Sequence, residues 1–260
     1  MIKQPSLIVR FFAVRILKNN SGLESEIEKP FILLSKSEWQ TLELNELRVL
    51  PERHLHHFFT VLRYREEFEA ILTDGSGHWC RALARKSELL VESAPIREKP
   101  MQPEITVFSA PIKPQNMKWL VQKLVECGAS SLRVFKTDYS NKALPDHGKL
   151  EKVAEGALMQ SRSVFSMTIE TMAERSIEAF ENLKTNVFWG DLRHGENVDQ
   201  ALKTRNSQPV TFINGPEGGF SEREAEFLKK NFRGIKLSHN VLRSETAPVV
   251  FVSMLRALSL

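Results

Sequence analysis

The chain has 260 residues, of which 42% are hydrophobic and 26% charged, a composition typical of a globular protein with a sizeable core. A formal net charge of +4 and a pI of about 9.0 permit a nucleic-acid partner without requiring one. The two cysteines, Cys80 and Cys127, belong to no CxxC or Cys/His cluster, which argues against a disulfide scaffold or a zinc site and favours a reducing cytoplasm.

The N-terminal segment is predicted to contain a strand. Residues 6–17 are rich in β-branched and aromatic side chains, which suit a pleated, half-buried surface. Arg10 and Arg15 interrupt the apolar residues of this segment, so it lacks the unbroken apolar stretch of a secretory signal. No apolar run elsewhere in the chain approaches the length of a membrane span.

Residues 1–98 as a whole are predicted to form a small β-rich module. The turn sequence Thr-Asp-Gly-Ser-Gly at 73–77 lies between strand-like pieces at 70–72 and 79–84. A polar stretch with two prolines, Glu-Lys-Pro-Met-Gln-Pro at 98–103, comes next. Because domain boundaries fall in exposed, polar, proline-bearing segments, we place the domain boundary here.

The rest of the chain, residues 103–260, alternates between strand-like and helix-like segments. Strands are predicted at 105–109, 132–135, 164–169, 187–189, 210–213 and 235–237. Helices are predicted around 117–125, 150–158 and 246–258, the last of which is mostly apolar. Gly128 follows the first helix where a C-terminus favours glycine, and Ser221 with Glu224 predicts a capping box for a further helix. This alternation predicts a parallel α/β sheet.

A glycine-rich turn follows the strand predicted at 210–213. Residues 214–219 read Asn-Gly-Pro-Glu-Gly-Gly, and the three glycines leave backbone N–H and C=O groups bare. Open α/β sheets bind ligands at the carboxyl ends of their strands, so a flat ligand could approach this backbone closely. An ordinary tight turn is equally compatible with the glycines alone. The segment matches neither a P-loop nor a dinucleotide-binding turn, because it lacks both of their motifs.

A second polar segment lies between the last predicted strand and the last predicted helix. It reads LSHNVLRSETA from Leu237 to Ala247. Arg243 in this segment is a fixed cation that could hold a phosphate or an anionic base. The alternative is that Ser244 or Thr246 is only a helix N-cap, with Glu245 favouring the helix dipole. Spacing alone favours this capping interpretation.

The two segments GPEGGFSEREAEF and LSHNVLRSETA, in this order, resemble the C-terminal signature of the ribosomal small-subunit methyltransferase E family. The pattern of that family is close to GPEGG-F-S followed by L-G-x-R-I-L-R-x-E-T-A. Further similar stretches cover most of the chain: VRFF, RHLHHFFTVLR, LTDGSG, KWLVQKLVECGASSLRVF and EGALMQSRS.

The resemblance implies a SPOUT-type parallel α/β sheet with a C-terminal trefoil knot. A small PUA-like β-barrel that binds RNA would occupy residues 1–98, and the SPOUT methyltransferase domain residues 103–260. The implied cofactor is S-adenosyl-L-methionine, and the implied reaction is methylation of N3 of a specific uridine in 16S ribosomal RNA, at a U1498-type site. A homodimer that acts in the cytoplasm on the 30S subunit, without a membrane or a metal, is also implied.

The resemblance also implies site residues. Arg243 is the candidate catalytic cation, and Glu217 and Glu245 are the candidate catalytic carboxylates. The candidate cofactor-binding residues lie around the glycine-rich turn and the 237–247 segment. They are Gly190, Ile213, Gly215, Pro216, Gly218, Gly219, Leu237, Asn240, Val241, Leu242 and Thr246.

Candidate RNA-binding residues come mainly from the N-terminal part of the chain. They are Arg10, Phe11, Phe12, His57, Arg63, Gln160 and Arg162. For Arg10, Phe11, Phe12 and Arg63, the alternative is that the phenylalanines lie in the core and the arginines are solvated. We expect one phenylalanine to lie in the core and the arginines to contact RNA. His54, His56 and His57 have no spaced partner ligands, so no metal site is predicted.

Several positions depart from the pattern of the family. They are Glu67 with Phe68, Tyr139, Met159, Arg162, Asn214, Ser238 and Asn240. These departures leave the cofactor segments mostly intact but bear on the RNA target. Two alternatives therefore stay open: a SPOUT enzyme for another ribosomal or transfer RNA site, and a non-catalytic RNA-binding factor with the same fold.

Overall fold

In the computed structural model, the residues described are 22–49, 67–85, 88–172, 177–181 and 183–259. They divide into two compact units. The first unit contains the described residues up to Lys99 together with Leu158–Phe165, and the second contains those of Pro100–Ala157 and Ser166–Ser259. None of the helices in the described ranges is long and apolar enough to cross a membrane. The strand predicted at 6–17 lies outside the described residues.

The first unit is built on a mostly antiparallel sheet. Its elements are a 3₁₀ turn (Leu23–Glu26), β1 (Phe31–Leu33), α1 (Lys36–Gln40), β2 (Leu47–Val49), β3 (Phe68–Thr73), β4 (His78–Arg85), β5 (Glu88–Val91) and β6 (Ile96–Arg97). The strand order is β1-β3-β4-β5-β2, with β6 paired to β4, and only the β1–β3 pair is parallel. Among the described strands this path does not close, so the PUA-like barrel stays a prediction.

The hairpin between β3 and β4 confirms the turn predicted at 73–77. The carboxylate of Asp74 accepts hydrogen bonds from the backbone N–H groups of Ser76 (2.7 Å) and His78 (3.2 Å). Gly75 and Gly77 have positive φ angles of 72° and 96°, which glycine adopts without steric cost. The turn residues therefore fix the register in which β3 and β4 pair.

The strand predicted at 164–169 is wrong in its first half, because β9 begins only at Thr168. Val164 instead lies in the first unit, where it is buried in a cluster with Trp79 and Phe31. Its carbonyl oxygen accepts a hydrogen bond from the N–H of Gly77 at 2.8 Å. Val164 therefore contributes to the core of the first unit and not to the predicted strand.

The second unit confirms the predicted parallel α/β sheet. Its elements are β7 (Ile105–Ser109), α2 (Pro114–Glu126), β8 (Ser131–Val134), α3 (His147–Ser161, of which the end lies in the first unit), β9 (Thr168–Thr171), a 3₁₀ turn (Ile177–Phe180), β10 (Asn186–Gly190), β11 (Glu196–Asn197), α4 (Val198–Lys203), β12 (Val210–Asn214), α5 (Glu222–Asn231), β13 (Arg233–Lys236) and α6 (Thr246–Ala257). The described strands form a seven-stranded sheet in the order β11-β13-β10-β12-β7-β8-β9, and all pairs are parallel.

Helix α2 forms where the helical periodicity predicted it and packs against α6. Its apolar stripe is buried: Met117, Leu120, Val121, Leu124 and Val125. Pro114 occupies its first turn, and Gly128 follows its end with a positive φ of 80°. Arg256 of α6 donates hydrogen bonds to the carbonyl oxygens of Gly128 (2.7 Å) and Pro103 (2.8 Å), and burial lowers its pKa to about 10. Arg256 thus joins α6 to the residue that follows α2 and to the segment before β7.

The parallel arrangement brings four loops to one edge of the sheet. Strands β7, β10, β12 and β13 are neighbours or near neighbours, and each ends at this edge. The loops that leave them begin at residues 110, 191, 215 and 237. Such a carboxyl edge is where open α/β sheets bind ligands.

Candidate active site

A cavity of about 650 Å³ lies at this carboxyl edge, within the second unit. The loops after β7, β10, β12 and β13 and the start of α6 line it. The three predicted catalytic residues, Arg243, Glu217 and Glu245, all line this cavity. So do all the predicted cofactor-binding residues except Ile213, Gly218 and Thr246. The fold thus brings together the two segments that the sequence analysis singled out.

The three exceptions lie next to the cavity wall along the chain. Ile213 is fully buried in β12, and Thr246 is the first residue of α6. Gly218 is exposed and adjoins Tyr139, whose Cβ would lie 3.7 Å from a Cβ added to the glycine. Their proposed roles in cofactor binding stay predictions.

The glycine-rich turn is held in one shape by its own backbone. The N–H of Gly219 donates to the carbonyl oxygen of Pro216 at 2.9 Å, and the φ of Gly219 is 75°. A Cβ on Gly215 would lie 3.1 Å from the ring of Phe220, which leaves little room for a larger side chain. At these positions the turn therefore offers backbone groups to a ligand.

A buried side chain ties the two walls of the cavity together. Asn214, the last residue of β12, is 6% exposed. Its Nδ2 donates a hydrogen bond of 2.7 Å to the carbonyl oxygen of Ser244. The end of the glycine-rich strand is thereby fixed to the 237–245 loop. From the sequence, Asn214 was only a departure from the family pattern, and this contact was not predicted.

The capping interpretation of the 237–247 segment is wrong. Glu245 is the N-cap residue of α6, and no side chain caps the helix. The first turn is closed by the backbone, because the N–H groups of Thr246 (2.9 Å) and Ala247 (3.0 Å) donate to the carbonyl oxygen of Arg243. The buried Oγ of Ser244 has no hydrogen-bond partner in the described part of the chain, although Ser244 lines the cavity. The polar side chains are therefore not needed to start the helix.

The carboxylate of Glu245 is held in the cavity wall. Glu245 is 8% exposed, and its Oε1 accepts a hydrogen bond of 2.9 Å from Nδ2 of Asn116 in α2. Nη1 of Arg243 lies 3.9 Å from the same oxygen, while the side chain of Arg243 is 84% exposed. A buried carboxylate and a solvent-accessible cation thus lie side by side. Glu217, the other candidate carboxylate, is exposed.

Sequence reasoning missed several residues of the cavity. Asp191 directly follows Gly190 and is 8% exposed; its Oδ1 accepts hydrogen bonds of 3.0 Å from the N–H groups of Arg193 and His194. Lys113 and Asn116, at the start of α2, also line the cavity. Their signal was their position just after β7, at the carboxyl edge that the alternation of strands and helices already predicted.

The predicted RNA-binding residues do not line this cavity in the described part of the chain. Gln160 and Arg162 belong to the first unit, where Gln160 is exposed and Arg162 is half-buried with a positive φ of 59°. Arg10, Phe11, Phe12, His57 and Arg63 lie outside the described residues, as do His54 and His56. Within the described ranges no three His, Cys, Asp or Glu side chains converge in a group that could hold a metal ion.

A family model described as the RNA methyltransferase domain matches residues 97–256. Among individual proteins, the chain is 27% identical to the ribosomal RNA small subunit methyltransferase E of Aquifex aeolicus. This match spans 222 residues and covers 80% of the chain and 93% of the relative.

Solved structures share the fold over most of both chains. A methyltransferase of Legionella pneumophila in complex with the cofactor SAM aligns with a TM-score of 0.73 and 19% identity, covering 88% of this chain and 97% of its own. The ribosomal RNA small subunit methyltransferase E of Neisseria gonorrhoeae, bound to S-adenosyl methionine, aligns with a TM-score of 0.69 and 21% identity, covering 88% and 98%.

Proposed function

Because the chain belongs to the RNA methyltransferase domain family, we propose that it transfers a methyl group from S-adenosylmethionine to N3 of a uridine in 16S ribosomal RNA. The observation that carries this proposal is the meeting of the glycine-rich turn and the 237–245 loop around one cavity. The choice of cofactor is supported by the bound ligand of the Legionella pneumophila and Neisseria gonorrhoeae structures. The choice of nucleotide is supported by the resemblance of both segments to the small-subunit methyltransferase E signature.

The cavity suits the size and chemistry of an adenosyl group. Small-molecule sites have volumes of about 300–1,000 Å³, and this cavity has about 650 Å³. The glycine backbone at 215–219 and the unpaired Oγ of Ser244 supply polar groups, and apolar side chains supply packing for a flat ring. The proposed cofactor wall comprises Gly190, Gly215, Pro216, Gly219, Leu237, Asn240, Val241 and Leu242. When bound, S-adenosylmethionine supplies a methyl group on a positively charged sulfur.

Methylation of N3 requires the loss of the N3 proton, because the nitrogen lone pair is otherwise unavailable. N3 of uridine is a weak acid, and each pK unit above the working pH costs about 1.4 kcal/mol. We assign to Arg243 the stabilisation of the negative charge that develops on O2 and O4. The exposed guanidinium is accessible to a base that enters the cavity from solvent.

Glu245 is the favoured proton acceptor of the two candidate carboxylates. Asn116 donates a hydrogen bond to Oε1 of Glu245. Oε2 of Glu245 accepts no hydrogen bond within the described ranges, and it is not among the buried atoms that lack a partner. One carboxylate oxygen is therefore fixed in place and the other is accessible for a proton. Glu217 is exposed and is the second candidate, for orienting the substrate.

Finer features of the family complete the proposal. The C-terminal half would form a trefoil knot, and two copies of the chain would form a homodimer with the active site shared between subunits. The first unit would be a PUA-like RNA-binding domain. The 30S subunit in the cytoplasm is the proposed setting, a setting consistent with the two free cysteines.

Calorimetry followed by a methylation assay tests the proposal. We expect the purified chain to bind S-adenosylmethionine and to methylate 30S subunits from cells that lack the gene. Mass spectrometry of the nucleosides should then detect N3-methyluridine in 16S RNA. Methyl transfer to another ribosomal or transfer RNA would mean that the chain is a methyltransferase with a different RNA target. RNA binding without cofactor binding would mean a non-catalytic factor.

A further inference from the structure

Tyr139 is an exposed aromatic residue beside the glycine-rich turn. It is 55% exposed, so its ring contributes little to the core. Its Cβ would be 3.7 Å from a Cβ added to Gly218, whose neighbours Glu217 and Gly219 line the cavity. The loop that carries Tyr139 follows β8, which ends at the same carboxyl edge as β12. The backbone that carries this exposed ring therefore passes next to the turn that forms one cavity wall.

The residues on both sides of Tyr139 are anchored. The backbone N–H of Asp138 donates to Oε1 of the buried Glu224 at 2.9 Å, and the hydroxyl of Ser221 donates to Oδ2 of Asp138 at 2.5 Å. On the other side, Oγ of Ser140 accepts a hydrogen bond of 2.9 Å from the N–H of Thr137. The backbone that carries the ring is thus ordered before any ligand arrives. Such preorganisation lowers the entropic cost of binding.

Cationic residues flank Tyr139 along the chain. Lys136 and Lys142 lie in the same loop, three residues on either side of Tyr139, and Arg223 contacts Asp138 at 3.3 Å. The only carboxylate between the two lysines in sequence, that of Asp138, is occupied by Ser221 and Arg223. An aromatic platform with neighbouring cations is how proteins hold single-stranded RNA, by stacking a base and contacting the backbone phosphates.

We propose that Tyr139 stacks on an unpaired base adjacent to the methylated nucleotide, while Lys136 and Lys142 contact the flanking phosphates. This inference rests on the proposed function, because it requires an RNA strand to enter the neighbouring cavity. It makes Tyr139 a specificity-determining residue that binds the substrate without taking part in methyl transfer.

The test compares three variants of Tyr139 in the full-length protein, with 30S subunits as substrate. Stacking on a base contributes about 1–3 kcal/mol by alanine substitution, so Tyr139→Ala should raise KM for the subunits by roughly tenfold. Its kcat and its affinity for S-adenosylmethionine should match the wild type. Tyr139→Phe keeps the aromatic face and should behave as the wild type. Tyr139→Leu keeps apolar bulk without that face and should behave as the alanine variant.

The outcomes separate the inference from the proposed function. If the wild type neither binds S-adenosylmethionine nor methylates RNA, the proposed function itself fails. If the wild type is active and Tyr139→Ala has an unchanged KM, the stacking role is wrong. Equal activity of Tyr139→Leu and Tyr139→Phe would reduce the contact to apolar packing and overturn the inference. A change of oligomeric mass in Tyr139→Ala would assign the ring to a contact between copies and overturn it too.

Discussion

The carboxylate of Glu245 is fixed by a residue far away in the chain. Asn116, its hydrogen-bond donor, precedes it by 129 residues. The resemblance to a family signature was sufficient to name Glu245 and Arg243 as candidates from the sequence. It could not select Asn116, because an asparagine in the first turn of a helix has no signature until the fold brings its partner alongside. The same reason hid the contact between Asn214 and Ser244.

Arg243→Ala should reduce methyl transfer on the order of 100-fold or more, the usual effect of removing a group that stabilises developing negative charge. Binding of S-adenosylmethionine, measured by calorimetry, should change little, because the side chain is 84% exposed. Arg193→Ala, which removes an exposed arginine near Asp191 outside the cavity lining, is the matched control. Wild-type turnover in Arg243→Ala would remove this residue from the mechanism.

Asn214→Ala should lower both stability and cofactor affinity. It leaves the carbonyl oxygen of Ser244 without its donor, and an unsatisfied buried acceptor costs about 1–3 kcal/mol. Urea unfolding measures the free-energy change, and calorimetry measures the affinity for S-adenosylmethionine. Asn231→Ala is the control, since Asn231 also donates to a backbone carbonyl but is exposed, and we expect under about 0.5 kcal/mol. Similar losses of unfolding free energy in both variants would show that the hydrogen bond from Asn214 to Ser244 does not hold the two cavity walls together.

At the scale of elements, α5 is anchored at its start by one buried side chain. Oε2 of Glu224 accepts from the N–H of Ser221 at 2.9 Å, and Oε1 accepts from the N–H of Asp138 at 2.9 Å. The capping box was predictable, because Ser221 and Glu224 are close in sequence. The link to Asp138 was not, because it joins segments that only the sheet order brings together. One carboxylate thus starts a helix and holds the loop that carries Tyr139.

Glu224→Ala should destabilise the protein by about 1–3 kcal/mol, because it leaves two backbone donors without acceptors in a buried setting. Glu38→Ala is the matched comparison, since Glu38 forms the capping box of α1 with Ser35 at an exposed site. There we expect a loss of about 1 kcal/mol or less. Thermal unfolding of both variants measures the difference, and equal losses would show that the link to Asp138 contributes nothing.

At the scale of the whole molecule, local sequence patterns predicted the helices, strands and turns better than they predicted which of these elements pack together. The strand at 210–213, the helix at 246–258 and the hairpin turn at 73–77 were found because periodicity and turn chemistry act over a few residues. The segment from Val164 was misassigned, because an apolar run does not reveal which core will bury it. The order of the strands, and with it the cavity, likewise depends on contacts between distant segments.

The described residues include two free thiols, Cys80 in the first unit and Cys127 in the second. Both should react poorly in the folded protein. Burial raises the pKa of Cys80 from 9.0 to about 12 and also raises the pKa of Cys127. Near pH 8 the thiolate fraction of Cys80 is then roughly a thousandfold lower than that of an ordinary thiol, and it rises tenfold per pH unit up to the raised pKa. Labelling with iodoacetamide in Cys127→Ala measures this. Rapid labelling of native Cys80 at pH 8 would contradict its burial.

Because Leu158–Phe165 belong to the first unit, this unit cannot be complete in the nascent chain until these residues have been synthesised. A ribosome that has made residues 1–99 has not yet made Val164, which shares a cluster with Trp79. At about 5–20 residues per second, several seconds separate the two. During that interval the first unit lacks part of its interior, so we infer that it completes folding only after synthesis of the second unit is well under way. On this inference, the first unit is begun first by the ribosome but is not the first to be complete.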